Sequence, residues 1–419
     1  MIGNPMKVSF GIAMSAIGAL ATPAQAASLD PAFGSAGITA TAFGNYGAAA
    51  RVVIQPDGRI VAAGQTALGE FALARYTTSG ALDTSFNGTG KVTTTPSGSC
   101  SGQARALALQ ADGKIVVAGA SCPNFTSTRN FTVYRYNTDG SLDTGFGSSG
   151  KATVNFYAGA SEAYAVAIQG TSIWVAGYAG SGFALARLTS GGTLDYSFGS
   201  GTGTVTSTVG TSSALANSLA IQADGKPVLA GYASSGGTVF ALTRYTTTGA
   251  LDATFGTGGK VLTNVGGTFT GNAAIATSLA IQSDGNIVAA GYANSTSGGY
   301  YRLAAVRYTS TGALDSYFGS GTGKVLTSIG SGDAIGSDVA IDANGGIIVG
   351  GYSKAGSYRQ LTLNRYDQYG NQDASFAPVV TSVGSANAAV QGLAIQGDGK
   401  IVVAGYGNSP AAFVVARYQ

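Results

Sequence analysis

The sequence predicts an all-β protein: a seven-bladed β-propeller of four-stranded antiparallel blades, closed by the N-terminal strand joining the last blade. Three observations lead there: a motif that recurs seven times, four short strand-like runs within each repeat, and a constant spacing that matches across the two ends of the sequence. The motif is Leu-Asp-x-x-Phe, at Leu29, Asp30 and Phe33, then Leu82, Asp83 and Phe86, Leu142, Asp143 and Phe146, Leu194, Asp195 and Phe198, Leu251, Asp252 and Phe255, and Leu314, Asp315 and Phe318. Gln372, Asp373 and Phe376 form the seventh copy. Successive Asp positions are 53, 60, 52, 57, 63 and 58 residues apart, room for about four short strands with their turns.

Repeat two shows the four strands as Lys91 to Thr94, Ala104 to Gln110, Lys114 to Gly119 and Phe131 to Tyr136, each rich in β-branched, aromatic or alternating apolar residues. The second and third are joined by Ala111-Asp112-Gly113, echoed at Asp57-Gly58, Asp224-Gly225, Asp284-Gly285, Asn344-Gly345 and Asp398-Gly399. Asp or Asn before Gly suits a type I turn followed by a left-handed Gly in a tight hairpin. Repeat three has Gly170-Thr171-Ser172 there instead, and its blade is the one expected to be irregular.

A four-stranded unit cannot bury both of its faces alone, whereas seven arranged radially pack face against face and protect their edges. Coils of a parallel β-helix need only about 20 to 30 residues each, and strands of a membrane barrel run to about 9 to 11 residues, so neither fits. Arg75, Arg135, Arg187, Arg244, Arg307 and Arg365 each stand eight residues before the next Asp. Arg417 has no Asp after it and Asp30 no Arg before it, so the series is completed if the two ends meet. A strand at about Ile38 to Ala42 then becomes the outer strand of the last blade, beside Phe413 to Tyr418.

Met1 to Ala26 carry Lys7, an uncharged apolar run from Val8 to Ala21 and a small-residue Ala24-Gln25-Ala26 ending, the layout of a cleaved secretory signal. The run is too short to span a hydrocarbon core of roughly 30 Å as a helix. The expected organisation is a signal peptide at 1–26 and a propeller domain at 27–419, secreted to the periplasm, the cell surface or the medium, with no transmembrane segment in the mature chain. Without Lys7 the 22 basic residues become 21 against 19 acidic ones, with no basic cluster, which argues against nucleic acid as a partner. A monomer is expected.

Leu-Asp-x-x-Phe-Gly, then Gly-Lys-Val, Gln-x-Asp-Gly-Lys-Ile-Val-Val-Ala-Gly and Ala-Arg-Tyr together resemble the delta-60 repeat of bacterial secreted and surface proteins, over nearly all of residues 28–419. The resemblance implies a β-propeller and supplies no catalytic residues. Repeat three, with Ser172 to Val175 and with Leu188 in place of Tyr, departs most from the pattern.

Alternating strand direction puts the Asp-Gly hairpins and the constant Arg-to-Asp connections on one face and the connections of variable length on the other. The Arg and Asp of each constant connection read as structural ion pairs, and the Phe residues as core anchors. Variable loops on a rigid scaffold carry specificity, so the second face is the candidate binding face. There Tyr178, Tyr232, Tyr292, Tyr352 and Tyr406 share one repeat position, replaced by Gln65 and Ala120 in the first two repeats. They read either as stacking surfaces for sugar or peptide or as rings packed on the next blade. Tyr300, Tyr301, Arg302, Tyr358 and Arg359 add contact residues in the longest loops. Cys100 and Cys122 fall in one repeat, on this face, and are expected to form a disulfide worth about 3 kcal/mol.

The absence of His removes Ser-His and Cys-His nucleophile pairs and imidazole-bound zinc. Acidic residues outside the repeat positions, such as Glu70, Glu162 and Asp333, show no paired spacing. The Gly-rich stretches sit in turns rather than before a helix, and the Asp-Gly turns lack the dense ligand sets of calcium loops. No cofactor or metal is implied. The reading is a non-catalytic scaffold that binds protein, peptide or glycan. The alternatives are a carbohydrate-active lyase or glycosidase using channel carboxylates and Tyr, and a purely structural surface protein.

Overall fold

The computed structural model describes residues 27–419 apart from 97–101, 123–127, 267–272, 295–298, 355 and 408–410. Seven four-stranded antiparallel sheets account for all named strands, and no helix occurs among the described residues. Blade one comprises Gly47–Ile54, Ile60–Thr66, Phe71–Tyr76 and Lys91–Thr94, from the axis outward. The inner strands of blades two to seven are Gln103–Leu109, Ser161–Gln169, Ala214–Ile221, Ala274–Ile281, Ala334–Ile341 and Ala389–Ile395. Each packs beside the next, and that of blade seven beside that of blade one, so the inner strands form a closed ring.

Blade seven takes its outer strand, Ile38–Thr41, from the other end of the sequence. Ile38 pairs with Ala416 and Thr41 with Phe413, and the amides of Asp30 and Arg417 donate to the carbonyls of Arg417 and Gly37. The register is the one the Arg-to-Asp spacing anticipates, because an unpaired third strand would leave a row of N–H and C=O groups open at the edge.

The second strand of every blade reads as a near-continuous apolar run because both of its faces are buried. Ile60 and Ala62 pack toward blade seven, whereas Val61 and Ala63 pack toward blade two. Seven apolar clusters result, one in each gap between blades, so the core is a ring of interfaces rather than a central mass. The gap between blades seven and one is filled like the others, by Phe33, Phe43, Val52, Val402 and Phe413.

The Asp-Gly hairpins carry their Gly in the left-handed region, at φ 82° for Gly58, Gly113 and Gly225. Blade three is a complete four-stranded sheet, which corrects the expectation of an irregular blade. With one residue fewer in its hairpin, the ladder continues to Gln169 opposite Ser172, and Gly170 and Thr171 alone make the turn.

Each inner strand contains one bulge. In blade four, Ala216 pairs with Gly231 and Ser218 with Ala230, leaving Asn217 unpaired between them. The glycine opposite is needed for close approach. A Cβ on Gly231 would lie within the van der Waals surface of the Leu215 carbonyl oxygen, and Gly64, Gly119, Gly177, Gly291, Gly351 and Gly405 face inner-strand carbonyls in the same way. The recurrent Ala-Gly in the second strand is therefore the sequence mark of a bulge in its neighbour.

Candidate functional site

On the constant face the anchor residues interlock the blades. Arg Nε and Asp Oδ2 lie 2.8 Å apart in Arg75–Asp83, 2.7 Å in Arg135–Asp143, 2.8 Å in Arg187–Asp195, 2.9 Å in Arg244–Asp252, 2.8 Å in Arg307–Asp315, 3.5 Å in Arg365–Asp373 and 2.9 Å in Arg417–Asp30. The N–H is also aligned for a hydrogen bond in the Arg75, Arg135, Arg307 and Arg417 pairs. In the Arg187 and Arg244 pairs the atoms are as close, but the N–H points off the oxygen.

Each guanidinium also stacks on its own repeat's Phe, as Arg135 does on Phe146 at 4.5 Å, and most reach a turn carbonyl of the following blade, as Arg244 does to Ser310 at 2.6 Å. Arg365 turns instead to Asp342 of its own blade, 2.8 Å away. Burial opposes the ionisation of Asp83, yet the hydroxyl and amide of Ser85 and the Arg75 guanidinium hold its carboxyl below the ordinary range. The third-strand Tyr completes the lock. Tyr76, Tyr136, Tyr308 and Tyr418 hydroxyls donate to Thr41, Thr94, Thr263 and Thr381 on the outer strand of the preceding blade, at 2.8 to 2.9 Å. These side chains are spent on packing, and little of their chemistry is left for a ligand.

The opposite face carries the variable connections. Tyr178, Tyr232, Tyr292, Tyr352 and Tyr406 all stand one or two residues from the end of the second strand, half-buried. They do not stand alone. Tyr178 lies beside Tyr164, with ring centroids 6.3 Å apart, Tyr301 meets Tyr292 edge to face at 5.0 Å, and Arg359 lies 4.4 Å over Tyr352 while reaching the Tyr406 hydroxyl at 3.5 Å. Burial raises the phenol of Tyr292 to about 12 and raises those of Tyr178 and Tyr352 as well. The tyrosines form an arc over blades three to seven; blades one and two present Gln65 and Ala120.

Tyr301 and Arg302 belong to the third strand of blade five, Tyr301–Tyr308, and Arg359 opens that of blade six, so these three are strand residues rather than loop residues. Arg302 pairs with Ala293 and is half-buried. Tyr300 and Tyr358 precede those strands and are 66% and 51% exposed. The three carboxylates named above as lacking paired spacing, Glu70, Glu162 and Asp333, all lie in or beside the variable connections of this face. Glu162 is buried, ion-paired with Arg129 at 2.5 Å and opposite Tyr178 in the ladder, and Asp333 accepts the Tyr301 amide at 2.9 Å. Cys122 is fully buried and disulfide-bonded, whereas Cys100 lies outside the described residues.

The bulges decide what faces the axis. Their seven residues are Ala50, Arg105, Tyr164, Asn217, Thr277, Ser337 and Gln391, and together with Arg51 they line a central cavity of about 160 Å³. Sequence reasoning missed them because a bulge breaks the two-residue alternation by which strand faces are assigned. A signal existed. Each stands seven residues before the Asp or Asn of the hairpin, or before Thr171 in blade three, and no two of the seven are alike. Asn217 and Thr277 hold the carbonyls of Ala276 and Gly336 in the following blade, at 2.8 and 2.9 Å. The Tyr164 hydroxyl donates to Glu162 at 3.3 Å, and burial raises its phenol to about 12.

The family model described as "Domain of unknown function (DUF5122) beta-propeller" matches residues 55–86, 110–146, 172–198, 222–255, 282–318 and 396–419. No curated protein matches the chain in sequence. Among solved structures, virginiamycin B lyase from Staphylococcus aureus superimposes with a TM-score of 0.53 at 9% identity, over 91% of this chain and 98% of the lyase. Polysaccharide lyase Uly1 gives 0.49 at 10% identity, over 90% of each chain. The periplasmic gluconolactonase of Pseudomonas aeruginosa gives 0.47 at 13%, over 81% of this chain and 87% of its own. At such identities the likeness is one of fold, and the chain is a β-propeller repeat protein.

Proposed function

We propose that this protein is a secreted or cell-surface scaffold, built of delta-60-type repeats, that binds a protein, peptide or glycan on its variable-loop face without chemical turnover. The observation that carries the reading is the aromatic arc of Tyr178, Tyr232, Tyr292, Tyr352 and Tyr406, half-buried at the rim and extended by Tyr301 and by Arg359 placed over the Tyr352 ring. Ring faces fixed by packing offer stacking area at little cost in side-chain entropy. On the constant face the repeated Arg and Asp side chains are ion-paired with one another, and its exposed Tyr196, Tyr317 and Tyr369 stand at three different repeat positions rather than in one series.

The carbohydrate-active alternative would draw on Glu162, Tyr164 and Tyr178. Its difficulty is electrostatic. A general base works best with a pKa near the operating pH, whereas burial drives both phenols upward and Glu162 is engaged by Arg129. Glycan and peptide arrays probed with wild type, Tyr232→Ala and Tyr352→Ala, beside a polysaccharide-degradation assay, test the proposal. Binding without turnover is expected, weakened by roughly 0.5–1.5 kcal/mol for each ring removed. Turnover abolished by Glu162→Gln would overturn it.

A further inference from the structure

We propose that the central channel is a carboxylate-binding subsite, and that the ligand seated there is a sugar acid, a uronate, presented by a glycan lying across the aromatic arc. This names the ligand class of the binding face and rests on the binding reading above.

Among the described residues, two guanidinium groups, Arg51 and Arg105, line the cavity and no carboxylate does. Both are held in place by protein contacts that leave part of the fork unused. Arg51 spends its Nη1 hydrogens on the carbonyls of Ala50 and Gln391, at 2.9 and 2.7 Å, and makes no other hydrogen bond among the described residues. Its Nε and Nη2 edge is the one that takes a carboxylate with two parallel bonds. Arg105 is fixed by stacking on Tyr164 at 5.1 Å and by its Nη2 bond to Gln103, while its Nε is buried with no partner. A buried guanidinium N–H without an acceptor is costly, so the chain holds a cation at this place against its own stability, and the positive charge that Arg105 brings to the cavity wall is left without a carboxylate among the lining residues.

The rest of the lining favours a sugar over an apolar side chain. Tyr164, Asn217, Thr277, Ser337 and Gln391 carry hydroxyl or amide groups, and Ala50 is the one apolar bulge residue. A cavity of about 160 Å³ takes an acid group and the edge of one ring, not a whole oligosaccharide.

Isothermal titration of the full mature chain with sodium glucuronate, glucose and the dipeptide glycylglutamate tests this. Glucuronate is expected to bind, glucose not measurably, and Arg105→Ala and Arg51→Gln are each expected to weaken glucuronate binding roughly tenfold or more, the effect of one lost charge-assisted bond. Arg105→Lys should retain part of the affinity. Ala50 occupies the equivalent bulge in blade one, so Arg105→Ala suits the fold, and an unchanged melting curve checks it. Glucuronate binding that both variants leave intact, or equal binding of glucose, would overturn the proposal. Tighter binding of glycylglutamate would assign the channel to a peptide and overturn the sugar assignment. Array binding lost in the tyrosine variants but kept in the arginine variants would leave the rim reading standing while this one fell.

Discussion

Replacing Gly231 with alanine puts one methyl group where the bulged inner strand of blade four passes. The new Cβ would overlap the Leu215 carbonyl oxygen and lie 2.9 Å from the Ala216 Cα, both of them backbone atoms in a ladder that cannot yield without disturbing its pairing. Overpacking of this kind costs up to about 3 kcal/mol. Unfolding entropy of about 2.1 cal/mol/K per residue over roughly 390 residues is about 0.8 kcal/mol/K, so the midpoint should fall by about 4 °C. Gly397→Ala is the matched control, since a Cβ there meets nothing within 4 Å and the backbone is not in the left-handed region. Removing a glycine at such a site lowers unfolded-state entropy and should raise stability by about 0.4–1 kcal/mol, close to 1 °C. Circular dichroism melts of the two variants beside wild type are the assay. Equal midpoints for Gly231→Ala and Gly397→Ala would refute the claim that the second-strand glycine is there to admit the bulge, and with it the account of how the channel is lined.

The ion pairs form a graded series within one molecule. Asp30→Ala strips a partner from Arg417 across the seam, where the two side chains are 4% and 7% exposed, and should cost about 3–5 kcal/mol, whereas Asp373→Ala, at 25% exposure and 3.5 Å, should cost about 1 kcal/mol or less. Urea midpoints in the reverse order would show that burial does not set the cost. Asp30, Asp83, Asp143, Asp195, Asp252 and Asp373 are all held below their ordinary pKa in the folded chain, so their stabilisation is complete above the unfolded value of about 3.9 and is lost as pH falls through the lower folded values. With no His present, melting midpoints should stay level from about pH 8 to pH 5 and fall only below about pH 4. A decline already under way between pH 7 and 5 would contradict this. Intact-mass spectra with and without reductant should differ by two hydrogens if Cys122 is bridged to Cys100, and a reduced mass without reductant would remove that bridge.

The fold was legible in the sequence because its causes are local and repeated. Hairpin chemistry at Asp112-Gly113 and its echoes, buried apolar runs such as Ile60 to Ala63, and a spacing that pairs Arg417 with Asp30 each act through a few neighbouring residues, and seven copies make chance coincidence implausible. Even the closing strand could be placed, because an open edge is costly wherever the chain begins.

The candidate site was legible only in part. The tyrosines that share a repeat position could be read along the chain, but Tyr164, Glu162 and Arg359 come to them from other strands and blades. The channel was hidden for a different reason. Which inner-strand residue faces the axis depends on a bulge, and the bulge depends on an approach to a neighbouring strand that only Gly231 and its counterparts permit. Local pairing rules thus determine that there are seven blades, while the packing of strand against strand decides that Arg105, Asn217 and their equivalents meet in one cavity.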